Sequence, residues 1–291
     1  MSLRAFLEKS KIRYRNLGPS VIPSIIGDFV MSASSRIPTN FGTNIFDKDW
    51  DICVVLDACR HDMYCDIVNS CPSIWSVGGT SNEWIRKTLT QPEAEETIYV
   101  TANPWITKNE SNCYEIRRVF DWGWDDDLGT VPPRPVTDEA IRVGRETDRQ
   151  MIVHYMQPHS PFIFSDLVDG SIVAYNSGRT GRSIWDQLLF GERTDGNAVR
   201  EAFMQNLHGV ISDIELLLKN IDGDVVITAD HGNALGEWGT WGHKEGFVHP
   251  GMRRVPWDER TGVDTESYAP PDRDETTDRD INDQLEALGY R

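Results

Sequence analysis

The chain alternates short, unbroken apolar runs with longer stretches whose apolar positions recur at helical spacing. Ile52-Cys53-Val54-Val55-Leu56, Thr97–Thr101, Gln150–Met156 and Val225-Val226-Ile227-Thr228 are the short runs. They are brief and mostly β-branched, as strands covered on both faces are. Between them the spacing predicts helices over Trp84–Leu89, after the Gly78-Gly79 turn, and over Thr137–Thr147, with Thr137 as N-cap and Asp138 and Glu139 in its first turn. A long helix is predicted from Ala198 to Lys219. Its Val199, Phe203, Leu207, Val210, Ile211, Ile214, Leu217 and Leu218 keep the 3.6-residue period until Asp222-Gly223-Asp224 breaks it. Strand and helix in alternation predict a mainly parallel sheet flanked by helices.

Both ends of the chain depart from this pattern. Residues 1–45 form a basic, helical extension: Arg4, Lys9, Lys11, Arg13 and Arg15 stand against Glu8 alone before Asn16. The apolar run Val21–Val30 is too short to span a bilayer and holds Pro23 and Asp28. The basic start is expected to pack on the protein's own acidic body, with peripheral membrane contact through residues 1–16 as the rival reading. Residues 46–257 carry the alternating pattern and form the expected catalytic domain. Residues 165–197, rich in Gly, Ser and Asp, suggest an excursion or lid. Residues 258–291 read as an acidic, loosely ordered tail that closes on a helical segment, Ile281–Leu288. Arg253-Arg254-Val255-Pro256 reads as a return to the sheet.

Composition narrows the function. The net charge of −17 over 291 residues argues against a basic nucleic-acid face. Only seven of the 29 basic residues are Lys and 22 are Arg; with abundant Asp and Glu, this is expected of a halophilic, archaeal protein kept soluble in concentrated salt. Cys53, Cys59, Cys65, Cys71 and Cys113 match no zinc-ribbon spacing, and CxxC is absent. A reducing, cytoplasmic compartment is the simpler expectation, possible contact with a membrane surface aside.

Chemistry concentrates where strands end. The first run finishes on Asp57 and the last on Asp230-His231, so two distant segments bring a hard oxygen pair and an imidazole to one sheet edge, suited to a single cation. In His154-Tyr155-Met156-Gln157-Pro158-His159-Ser160-Pro161-Phe162, His154 lies within the strand and reads as a core histidine. His159, between two prolines in the loop, is the better functional candidate. The glycines of Leu235-Gly236-Glu237-Trp238-Gly239-Thr240-Trp241-Gly242 permit a tight backbone able to wrap a small anion.

Three segments together, Val55-Leu56-Asp57-Ala58-Cys59-Arg60, Gln157-Pro158-His159-Ser160-Pro161-Phe162 and Thr228-Ala229-Asp230-His231-Gly232 through Leu235-Gly236-Glu237, followed by Gly242-His243-Lys244 and Arg254-Val255-Pro256, resemble the alkaline phosphatase superfamily, its sulfatase-like branch above all. The resemblance covers roughly residues 50–257. It implies a three-layer α/β/α sandwich with a mainly parallel central sheet, alkaline-phosphatase-like. It further implies a divalent cation (Mn, Zn, Mg or Ca, one or two ions) on Asp57, Asp230 and His231. His159, His243 and Lys244 would contact the substrate anion, and the two histidines are also the candidates for a second ion. The nucleophile would start a helix between the first two strands, where Ser81 is preferred narrowly over Thr80. The formylglycine motif Cys/Ser-x-Pro-x-Arg of true sulfatases is absent. The reading is therefore a metal-dependent hydrolase of phosphate mono- or diesters working on a small-molecule, glycan or lipid ester. Its alternatives are a sulfatase, a phospho-headgroup transferase, or a degenerate anion-binding member. Trp105, Trp122, Trp124 and Trp185 fall in the segments expected to shape the pocket, and are read first as structural.

Overall fold

The computed structural model describes residues 3–34, 42–167, 182–193, 195–273 and 279–290. A six-stranded sheet forms its centre, in the order β10-β6-β1-β5-β3-β4. β1 (Ile52–Leu56), β3 (Ile98–Thr101), β5 (Met151–Tyr155) and β6 (Gly223–Thr228) are the four predicted strands. β1, β3 and β5 are buried at every position, which their unbroken apolar sequences require. Helices flank the sheet, giving the three-layer α/β/α sandwich.

The two edge strands escaped the hydrophobic pattern. β4 (Glu115–Arg118) is Glu-Ile-Arg-Arg and pairs parallel to β3. β10 (Asp258–Gly262) is Asp-Glu-Arg-Thr-Gly and pairs antiparallel to β6. Charged sequences suit a sheet edge, because they discourage a further strand from adding there. β10 corrects the expectation of a loose tail starting at residue 258; backbone pairing orders this segment where side chains gave no signal. Arg254–Pro256 also departs from its reading. It forms β9, which pairs with β2 (Ser73–Trp75) in a separate two-stranded sheet.

The helices match in kind and differ at their starts. α1 (Leu3–Leu17) and α2 (Ile22–Ser34) form the N-terminal extension, and α3 (His61–Val68) follows β1. α4 spans Ser81–Thr88. α5 runs Pro133–Glu146 and begins four residues before the expected cap: Pro133 takes the first turn, where a missing N–H costs nothing, and Thr137 Oγ1 bonds the Tyr155 hydroxyl at 2.9 Å instead. α6 is Ile184–Leu189, α7 is Gly196–Leu218, α8 is the short Pro250–Arg253, and α9 is Ile281–Ala287. Residues 168–181 and 194 of the expected excursion lie outside the described residues. Among the described residues no helix is long and apolar enough to cross a membrane.

Arg13 of α1 is buried and bonds Asp28 of α2 at 2.6 Å, so the helices hold each other and the body. Yet Leu7, Tyr14, Leu17, Ile22, Ile26 and Phe29 stay exposed on the same pair.

Candidate active site

Four adjacent parallel strands, β6, β1, β5 and β3, end on the same edge, and the residues after each converge there. Register explains the closest approach. Val55 of β1 pairs with Thr228 of β6, so Asp57 and Asp230 each stand two residues beyond the same rung. Both are fully buried. The Asp230 carboxylate is fixed through Oδ1, which accepts from Ala58 N at 3.1 Å and His231 N at 2.8 Å. Ala58 adopts φ +63°, a left-handed conformation unusual for alanine, and this turn holds its N–H on Asp230.

The remaining ligand-type atoms face one another. His231 Nδ1 lies 2.8 Å from the Gly232 carbonyl, which fixes its proton there and leaves Nε2 as a lone pair. That Nε2 is 3.5 Å from Asp57 Oδ1 and 3.5 Å from Asp230 Oδ2. Neither carboxylate oxygen has a hydrogen-bond partner among the described residues. Asp57, Asp230 and His231 offer atoms within 4.8 Å of each other. Two orphaned carboxylate oxygens and an imidazole lone pair fit one divalent cation. Burial, reinforced by the Asp230 charge, pushes the Asp57 carboxyl well above its ordinary range.

The two hydroxyl candidates separate cleanly. Thr80 caps α4, its Oγ1 accepting from Glu83 N at 3.2 Å. Ser81, the first helical residue, turns inward: its Oγ donates to Asp57 Oδ2 at 3.1 Å and stands 3.3 Å from His231 Nε2. Glu83 anchors this helix start, accepting from Gly79 N, Gly246 N and Lys87 Nζ. Gly79 has to be glycine, since a Cβ there would sit 2.8 Å from the Lys244 carbonyl.

His159 and His243 complete the rim, with ring centroids 5.2 Å apart and His243 4.5 Å from His231. Burial is the main reason that His159 is held down at about 4 and His243 well below its usual value, so both are neutral at pH 7. His243 Nδ1 is bonded to Asn233 Oδ1 at 2.8 Å, and His159 Nδ1 to the Ser160 carbonyl. Each therefore presents Nε2 as an acceptor or a ligand, rather than as a proton donor to an anion. Lys244 is drawn aside: its ammonium bonds Asp28 of α2 at 3.1 Å, while burial lowers its pKa. The glycine segment before it forms the hairpin β7 (Ala234–Leu235) and β8 (Trp241–Gly242), docked on α1 and α2 through the Gly239 carbonyl.

Several site residues carried no sequence signal. Asn103, after β3, donates to Asp57 Oδ2 at 2.8 Å. His154 is buried as expected, with the Tyr99 hydroxyl 2.6 Å from Nδ1, but its Nε2 reaches to 3.7 Å from Asp230 Oδ2, so this core histidine also faces the site. Tyr290, beyond α9, stacks on His159 with centroids 5.5 Å apart. The strand-end position of Asn103 was the one usable hint. A cavity of about 450 Å³ opens beside these groups, lined by His159, His243 and Lys244, by Trp185 of α6, and by Lys9 and Arg13 of α1. Trp105 packs edge-on to Tyr290 and Trp124 is buried, so both have structural surroundings, while Trp185 reaches the cavity wall.

No family model and no curated protein matches the chain. Solved structures similar to it include the soluble domain of lipooligosaccharide phosphoethanolamine transferase A from Neisseria meningitidis (13% identity, 71% of this chain and 75% of that one, TM-score 0.47). Another is the C-terminal periplasmic domain of EcEptC from Escherichia coli in complex with Zn (12% identity, 79% and 78%, TM-score 0.45). A third is a protein in the alkaline phosphatase superfamily from Vibrio parahaemolyticus (13% identity, 90% and 74%, TM-score 0.37).

Proposed function

We propose that the protein is a metal-dependent phosphoryl-transfer enzyme of the alkaline phosphatase type, with Ser81 as nucleophile and phosphate mono- or diesters as substrates. One observation carries the reading: Asp57 Oδ1, Asp230 Oδ2 and His231 Nε2, all acceptors, meet within 4.8 Å beside a hydroxyl held at 3.1 Å from Asp57. Acceptors buried together without donors call for a positive charge among them. Asp57, Asp230 and His231 would hold a divalent cation, which supplies the charge that lowers the pKa of a neighbouring hydroxyl. Carboxylate with imidazole suits Zn or Mn better than Mg or Ca.

The protein's own groups then divide the work. Ser81 Oγ attacks phosphorus, the bond from phosphorus to the leaving oxygen breaks, and the hydroxyl proton passes toward Asp57 Oδ2, which already accepts it. That proton is relayed through water to the leaving oxygen, and a phosphoserine remains. In the second half a water or an alcohol attacks that phosphorus, His243 Nε2 accepts the proton of the incoming hydroxyl, and Ser81 Oγ departs and takes that proton back through water. Asn103 keeps Asp57 oriented throughout. His159 and His243, both neutral with Nε2 lone pairs, are equally suited to a second ion.

Transfer to an alcohol acceptor, rather than hydrolysis, is favoured by one feature. α1 lines the cavity, and α1 and α2 expose six large apolar side chains beside basic Lys9, Lys11 and Arg15. That surface suits an anionic membrane, so a lipid or glycolipid headgroup ester is the substrate class we favour in this second reading. Five unpaired cysteines suit a reducing compartment.

The test is a panel of nitrophenyl phosphate, nitrophenyl phosphodiester and nitrophenyl sulfate in high salt, with Mn, Zn, Mg and Ca each returned to chelated protein. Phosphate-ester turnover restored by Zn or Mn and lost in Ser81→Ala is the expected result. Turnover unaffected by chelation, or sulfate cleaved in preference, would reject the proposal. Added glycerol that diverts product from phosphate to glycerol phosphate would select transfer over hydrolysis.

A further inference from the structure

α9 is fastened to the body: Leu285 and Leu288 are buried, and Gln284 Nε2 donates to the Phe120 carbonyl at 3.0 Å. The backbone then folds back, Tyr290 N donating to the Leu285 carbonyl at 2.9 Å, and this turn sends the Tyr290 ring onto the site. The ring stacks on His159 at an interplanar angle of 17°, meets Trp105 edge-on at 5.3 Å, and lies 5.9 Å from His243. Its hydroxyl is buried facing Ser81 and Trp105, yet makes a hydrogen bond of acceptable geometry with neither.

A buried hydroxyl without a partner is unfavourable, and phenylalanine would keep the same stack without that cost. The surroundings supply the reason for the oxygen. Close to Ser81 the site is crowded with acceptors: both carboxylates and the Nε2 atoms of His231, His159 and His243. Of its donors, Asn103 Nδ2 is committed to Asp57 and Lys244 Nζ to Asp28, while the Trp105 indole N–H beside Tyr290 and His154 Nε2 have no hydrogen-bond partner among the described residues. A tetrahedral oxyanion arriving at Ser81 presents non-bridging oxygens that need an O–H or N–H. We infer that Tyr290 is a substrate-contacting residue, its phenolic O–H donating to a non-bridging oxygen of the phosphoryl group while Ser81 engages the phosphorus. A phenol remains a neutral donor at pH 7. This inference rests on the phosphoryl-transfer reading.

The experiment uses the full chain reloaded with Zn or Mn. Tyr290→Phe is compared with wild type for bound metal, for inorganic phosphate binding by calorimetry, and for kcat/KM on nitrophenyl phosphate. We expect unchanged metal content, with phosphate affinity and kcat/KM each reduced about tenfold or more, as befits loss of one hydrogen bond to a charged group. Tyr290→Ala should be at least as impaired. Phosphate affinity and turnover within twofold of wild type in Tyr290→Phe would overturn the inference, as would faster turnover in Tyr290→Ala, which would make the ring an obstruction. A wild-type protein that neither binds phosphate nor turns over phosphate esters would instead reject the underlying function, and the role of Tyr290 with it. Should Tyr290→Phe fail to fold, the ¹⁹F resonance of fluorotyrosine at position 290 is read during phosphate titration: a shift supports the contact and an unmoved resonance refutes it.

Discussion

Two clusters of ligand-type side chains flank the turn that follows β1, and they differ in what their atoms can do for one another. Asp57, Asp230 and His231 are fully buried and offer acceptors only toward their common centre. His61, Cys65 and Cys71 also lie within 4.8 Å of each other, but they are half-buried and mutually satisfied. His61 Nε2 is 2.9 Å from the Cys71 carbonyl, and the Cys65 and Cys71 sulfurs are 3.2 Å apart. Thiols carry a proton each and can share it, and burial raises the Cys71 thiol to about 12, which keeps that proton in place. The carboxylate oxygens Asp57 Oδ1 and Asp230 Oδ2 are in no such exchange, since neither has a hydrogen-bond partner among the described residues. Proximity alone therefore does not mark a cation site; an unanswered excess of acceptors does.

The sharpest break of this comparison is Asp230→Asn. Bound metal and phosphate-ester turnover should both collapse, the latter by about a thousandfold or more, while the metal-free variant melts at or above the wild-type temperature because a buried like-charge pair is relieved. Elemental analysis and calorimetry read the two effects, and retained metal would refute the assignment. Ser81→Ala should lose turnover by a similar factor and keep its metal. Activity near wild type there would return the nucleophile's role to Thr80, whose capping contact argues against it.

His154→Gln comes next. The Tyr99 hydroxyl directs the His154 proton to Nε2, toward Asp230, so we expect lower stability together with metal affinity weakened by about tenfold, the range seen for residues that orient ligands. A melting shift with unchanged affinity would return His154 to a purely structural role. The pH dependence of the metal-free protein gives a smaller effect with a definite sign. Asp57 has a raised folded pKa, so its contribution is favourable below the ordinary carboxyl range and is lost as pH rises toward the folded value. Wild type measured against Asp57→Asn should become relatively less stable from about pH 4 upward, and a constant difference would contradict the burial of an uncompensated carboxylate. Smallest of all, Cys65→Ser with Cys71→Ser should leave metal content and kcat/KM within about twofold, as for sites remote from the chemistry; loss of a bound ion in that double variant would erase the distinction between the clusters.

How far the sequence could be read follows from these same contacts. Asp57, Asp230 and His231 were legible because an apolar strand that stops on a charged residue advertises a sheet edge. The central strands were legible for the same reason, and β4 and β10 were not, since Glu-Ile-Arg-Arg and Asp-Glu-Arg-Thr-Gly look like solvent loops until a neighbour's backbone pairs with them. Ser81 and Thr80 differ by one position, and the helix-capping geometry that turns one outward and the other inward exists only in three dimensions. Asp28, Arg13 and Tyr290 were illegible as site residues because long-range packing, not local pattern, brings the two termini of the described fold to its centre. Lys244 was legible by its place beside His243, but its ion pair with Asp28, more than two hundred residues away, was not.

The register of β1 against β6 carries one more implication. Asp230 closes its hydrogen bond on Ala58 across 172 residues of chain, so no nascent fragment that stops short of His231 can own the complete trio of ligands. Such distant pairings form late and slowly. Capture of the ion would then report that β1 and β6 have met in register, and a protein starved of metal would fail late in assembly rather than at its start.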